Sequence, residues 1–122
     1  LLLPYLYRVV PGIPWPHNDI KRQGVHGGGY DRLPLRAAKS LTRLWAVVKS
    51  DIHRVTQPLL IYRSADDHIV EPSNSTWLLA NTASREAEEV VLEDSFHVAT
   101  LDNDAPQILA GSRAFARSVE LQ

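Results

Sequence analysis

The order strand, helix, strand, helix over the second half of the chain predicts an α/β fold with a parallel sheet. Two observations carry that expectation: apolar runs of strand length at 58–64 and 88–94, and an apolar face at helical spacing after each of them. The first run, PLLIYRS, is bounded by Pro58 and a polar loop, the pattern of a strand buried on both faces. EPSNSTWLLANTA then opens a helix near Pro72, with Trp77, Leu78 and Leu79 turned inward. EEVVLED, Glu88 to Asp94, is the second strand. Asp104 reads as an N-cap with Gln107 three residues on, and Ile108, Leu109, Phe115 and Val119 give the last helix its apolar face. Ahead of this unit, Leu41, Leu44, Trp45, Val48 and Ile52 put one stripe on a helix of roughly 18 residues, with Arg43, Lys49 and Arg54 off the stripe.

Upstream the pattern is broken. Pro4, Pro11, Pro14, Pro16 and Pro34, together with Gly12, Gly24 and the triplet Gly27, Gly28 and Gly29, predict loops with short helical pieces. The 122 residues, 44% hydrophobic and 22% charged, suffice for one ordinary globular core and argue against disorder. With 13 basic and 14 acidic residues interleaved, the net charge of −1 leaves no electrostatic footprint for nucleic acid or anionic lipid. The absence of cysteine excludes disulfides, thiolate zinc sites and cysteine nucleophiles, and leaves the redox compartment open, with the cytoplasm favoured. LLLPYLYRVV is interrupted by Pro4 and Arg8 and has no basic n-region, so it reads as neither signal peptide nor membrane span. The lack of any methionine, including a first one, is expected of a segment of a longer protein.

In an open parallel sheet, ligands and chemistry gather at the carboxyl ends of the strands. SADDHIV and SFHVATLD both leave such ends, and each brings one partner of an acid–histidine pair. Asp67 and His97 are separated by about one strand–helix–strand crossover of roughly 30 residues, which makes their loops neighbours on the same edge of the sheet. A carboxylate on one ring nitrogen fixes the tautomer, stabilises the imidazolium and frees the other nitrogen to take a proton from a nucleophile.

From about Val55 to the end the chain resembles the C-terminal part of the α/β-hydrolase fold, and within it the bacterial monoacylglycerol lipase and carboxylesterase branch. VTQPLLIYRSADDHIVEPSNS and LEDSFHVATLDND carry the resemblance. The family's acid loop follows a strand and reads as Asp, any residue, two aliphatics and a proline shortly after; Asp67, Ile69, Val70 and Pro72 fit it, while Asp66 falls one place early. The family histidine has a Ser-x-His-Val setting, matched by Ser95, His97 and Val98. The resemblance implies that 55–122 is a strand-helix-strand-helix unit of the hydrolase core and 1–54 the cap or lid over an acyl pocket. It further implies Asp67 and His97 as the catalytic acid and histidine of a serine ester hydrolase acting on esters with an apolar acyl chain, with no cofactor and no metal.

The family order is nucleophile, acid, histidine, with the serine in G-x-S-x-G. That string is absent, so the nucleophile and oxyanion amides are expected upstream of Leu1, in an N-terminal half that would be the chain's partner, unless a second copy takes its place. The chain alone is then expected to have no turnover. AGSRA centres on Ser112 but follows His97 and lies in a predicted helix, where an ordinary helix serine is the better reading. HGGG, His26 to Gly29, matches the oxyanion loop of another lipase branch but precedes the acid by too little chain for a serine elbow, which favours a turn. His17, Asn18 and Asp19 form no spaced metal set and read as a solvated turn. His68 reads as a loop neighbour and His53 as a cation suited to a helix C-terminus. Tyr5, Tyr7, Trp15 and Trp45 read as core or cap packing ahead of an acyl pocket lining. Two alternatives remain: the same acid–histidine half serving an aspartate nucleophile, as in haloalkane dehalogenases and epoxide hydrolases, or a non-catalytic truncated product acting as an assembly module.

Overall fold

The computed structural model describes residues 7–15 and 18–120. Tyr5 and His17 lie outside them, as do Pro4 and Pro16. The predicted order of the second half is present: β3 (Leu59–Ser64), α2 (Ser73–Asn81), β4 (Ala87–Leu92) and α3 (Ala105–Glu120). β3 and β4 pair in parallel from Leu59 opposite Ala87 to Ser64 opposite Leu92. Their pairing runs one step further, because the Ala65 amide donates to the Leu92 carbonyl at 2.8 Å. Arg63 Nε meets Glu89 Oε1 across the pair at 3.0 Å. Pro72, at φ −56°, caps α2 with a backbone already set for a helix.

The first half contains strands that the sequence reading missed. β1 (Gly12–Pro14) and β2 (Arg32–Pro34) form an antiparallel pair with Ile13 opposite Leu33. Each strand ends in a proline, so the breaker density that predicts loops hides two strands of three residues. The main-chain bonds flank the prolines: the Trp15 amide donates to Asp31 O at 3.0 Å and the Leu35 amide to Pro11 O at 3.2 Å. Gly12 is required here, since a Cβ would come within 2.9 Å of the Leu33 carbonyl oxygen.

β2 runs straight into α1 (Leu35–Asp51), which ends in a 3-10 turn at Ile52–Arg54. The helix starts six residues ahead of the first stripe residue, Leu41, because Pro34 supplies its first cap and Leu35 its buried foot. The stripe exists but is open: Leu41, Leu44, Trp45 and Val48 are all exposed. β3, expected to be buried on both faces, is half-buried from Leu59 to Arg63, and only Ser64 is buried. On one side α3 packs close, with Tyr62 against Gly111. On α3 itself Ile108, Phe115 and Val119 are half-buried, whereas Leu109 points outward and does not belong to the apolar face. β4 stops at Leu92, two residues early, because the Asp94 amide is taken by Asp104 Oδ2 at 2.9 Å in place of a ladder partner.

Candidate active site

Both strands of the parallel pair end at the same edge, and the loops leaving them are stitched together side by side. Ser64, the last residue of β3, donates its hydroxyl to the Phe96 carbonyl at 2.7 Å. Beyond it the chain turns on Asp67, whose Oδ1 accepts the amides of Ile69 and Val70, each at 2.8 Å. An aspartate folded over its own following amides is a stable turn, and it leaves the second carboxylate oxygen aimed outward. That oxygen, Oδ2, lies 3.0 Å from His97 Nδ1.

Burial pushes the Asp67 carboxyl up, but the Val70 amide, the His97 ring and the Ile69 amide outweigh it and hold the group below the usual carboxylate range. Asp67 is thus an anion at neutral pH, which selects the tautomer with the proton on Nδ1 and puts the lone pair on Nε2. The histidine side chain is 38% exposed and the aspartate 12%. His97 borders a cavity of about 380 Å³ shared with Trp15, Tyr30, Leu33 and Ile69.

The loop after β4 is rigid for reasons that the sequence does not display. Ser95 is buried, donating to Asp104 Oδ2 at 2.9 Å and accepting the Asp104 amide at 3.0 Å. The serine before the histidine is therefore a structural clasp, and Asp104 spends its carboxylate on Ser95 and Asp94 as well as standing ahead of α3. Asp102, fully buried, accepts four amides, from Lys21, Arg22, Phe96 and Asn103, at 2.7 to 2.9 Å.

Asn18 and Asp19, expected in a solvated turn, are half-buried tethers. Asn18 Oδ1 accepts the Gly27 amide at 3.0 Å and its Nδ2 donates to Val25 O at 3.3 Å. That bond commits the Gly27 amide, and the glycine triplet runs along the cavity wall as irregular chain rather than as a turn, with Gly28 at φ +64°. Asp19 accepts the His97 amide at 3.1 Å and meets His68 Nδ1 at 2.7 Å. His68 is therefore more than a neighbour of Asp67.

Ser112 lies exposed on α3, beside a groove formed with Arg22, Thr100, Pro106 and Ile108. His53 is exposed in the 3-10 turn that ends α1. Trp15 reaches the His97 cavity, Tyr7 packs under the Lys39 ammonium at 3.7 Å, and Trp45 lines a separate groove with Val48, Trp77 and Leu78. Among the described residues no helix is long and apolar enough to cross a membrane.

The fold has a counterpart among solved structures. The backbone superimposes with a TM-score of 0.89 on a solved structure of metagenome-derived lipolytic enzymes, LipS and LipT, at 38% identity over 96% of this chain and 48% of that one. The chain carries part of an α/β-hydrolase fold. A thermostable monoacylglycerol lipase of Bacillus sp. (strain H-257) is 38% identical over 98 residues, 80% of this chain. The chain spans 39% of the length of that lipase. No family model matches it.

Proposed function

We propose that this chain supplies the acid and the histidine of a serine ester hydrolase, with Asp67 orienting His97 and the nucleophilic serine lying outside these 122 residues. The observation that carries the reading is the 3.0 Å contact between Asp67 Oδ2 and His97 Nδ1 at the carboxyl edge of a parallel pair, in a chain whose relatives are lipolytic. His97 Nε2 takes the serine proton as the hydroxyl attacks the ester carbonyl, then returns it to the leaving alcohol. Water repeats the cycle on the acyl-enzyme, with Asp67 stabilising the imidazolium each time. Neither step calls for a cofactor.

The cavity beside His97, walled by Trp15, Tyr30, Leu33 and Ile69, suits an ester with an apolar acyl chain. On this reading residues 1–54 are a cap over the core unit 55–122, and the serine and oxyanion amides belong to an N-terminal half packed beside it. The lipolytic relatives favour serine over an aspartate nucleophile. In the full-length protein, His97→Ala and Asp67→Asn are each expected to lower kcat on a short-chain p-nitrophenyl ester, by about 10⁴-fold for the aspartate change. Turnover within tenfold of wild type in either variant would refute the assignment.

A further inference from the structure

The Asp67–His97 contact spans two loops, which the sheet ties together through its last ladder bonds and the Ser64 hydroxyl on the Phe96 carbonyl. A third segment ties them as well. Asp19 has a side chain that is 13% exposed, and each of its carboxylate oxygens holds a different loop. Oδ2 accepts the main-chain amide of His97 at 3.1 Å, and Oδ1 meets the ring of His68 at 2.7 Å, one residue beyond Asp67. Its carbonyl accepts the Val98 amide at 3.1 Å. The His68 ring is then wedged edge-on against Phe96, with centroids 4.5 Å apart, so the two loops also touch through their side chains.

The segment is anchored independently of these bonds. Ile20 is buried, and the next two amides, Lys21 and Arg22, are gripped by Asp102 together with Phe96. Asn18 holds the opposite side to Val25 and to Gly27 of the cavity wall. Asp19 is consequently a fixed point, and a fixed carboxylate that binds both loops transmits its position to both partners of the acid–histidine pair.

We propose that Asp19 is a positioning residue for His97: it clamps the histidine main chain directly and the acid loop through His68. This rests on the acid–histidine reading of the site. The size of the effect follows from geometry, since a displacement of about 1 Å between reacting groups costs on the order of 100-fold in rate while leaving ground-state binding almost intact.

The test uses the full-length protein and a short-chain p-nitrophenyl ester. Asp19→Ala, which removes both bonds, is expected to lower kcat by about 10- to 100-fold with KM within about threefold of wild type. Asp19→Asn keeps an oxygen for the His97 amide and an NH₂ for an unprotonated His68 Nδ1, and is expected to restore kcat to within about fivefold of wild type. Asp19→Ser, too short to reach both partners, substitutes for the alanine variant if that does not fold. A wild-type kcat in the alanine variant, an effect on KM alone, an asparagine variant no better than alanine, or failure of both the alanine and serine variants to fold would each overturn the proposal. His97→Ala separates the two levels. Retained turnover there overturns the site reading and the role of Asp19 with it, whereas lost turnover there with normal kcat in Asp19→Ala overturns the positioning role alone.

Discussion

The Phe96 amide donates to Asp102 Oδ2 at 2.9 Å, immediately before His97 in the chain. Burial pushes the Asp102 carboxyl up, but the amides of Phe96, Lys21, Asn103 and Arg22 more than offset it and keep the group below its ordinary value. A carboxyl depressed in the folded state contributes stability above its unfolded pKa of about 3.9, and that stability is lost as pH falls through the folded value. Asp67 is depressed in the same sense. Asp102→Asn is therefore expected to cost about 1.5–3 kcal/mol at neutral pH, with the difference from wild type narrowing as pH drops below about 4. Urea unfolding of the full-length protein across pH 3 to 7 measures it. Parallel stability curves for the two proteins would exclude the linkage.

The acid loop holds two adjacent aspartates, Asp66 and Asp67, and only the second touches His97. Asp66 is exposed. Asp66→Asn is expected to leave kcat within about twofold of wild type, as surface changes away from the reacting groups do, while Asp67→Asn is damaging. Ser112→Ala should be equally silent, because that hydroxyl lies on α3 at a groove His97 does not border. Steady-state kinetics decides both, and a damaging Asp66 change would shift the acid by one position.

The acid–histidine edge was legible because two strong local signals, apolar runs of strand length followed by loops carrying Asp67 and His97, needed no long-range information. What was not legible is what holds those loops. Asp102 reaches Lys21 across 81 positions and Asp19 reaches the His97 amide across 78, and an aspartate bonded to distant amides looks in sequence like any loop aspartate. Asp104 has the local pattern of a cap, yet its carboxylate serves Ser95. The β1–β2 pair was hidden for the opposite reason: Pro14 and Pro34 are strong breaker signals, but at strand ends they forfeit no donor that the pairing uses.

Gly111 on α3 sits against the Tyr62 hydroxyl of β3, where an added Cβ would overlap it. The Tyr62 hydroxyl therefore occupies the space that a side chain at position 111 would need. Gly111→Ala is expected to destabilise the protein by about 1–3 kcal/mol through overpacking, despite alanine's better helix propensity. Tyr62→Phe, which deletes only the overlapping oxygen, should recover most of that loss in the double variant. Chemical denaturation of the four proteins closes the cycle, and additive effects would show that the contact is not the cause of the loss.

The isolated 122-residue chain is expected to behave poorly as a monomer, and the reason lies in what its apolar residues cover. Among the described residues only Ile20, Leu35 and Leu92 are buried hydrophobics, whereas Leu44 and Trp45 of the α1 stripe remain 55% and 54% exposed. The parallel pair has two strands, β3 and β4, and a pair of that size lacks independent stability. Among the described residues β3 pairs only with β4, and its other edge, together with the open apolar face of α1, invites pairing, either with the N-terminal half proposed above or with a second copy. Sedimentation equilibrium of the chain alone should show concentration-dependent association, and its thermal melt should be broad. A strictly monomeric species with a sharp melt and slow amide exchange across 58–64 would contradict this. It would mean that the β1–β2 pair and α1 close over the sheet in solution more tightly than their exposure here indicates.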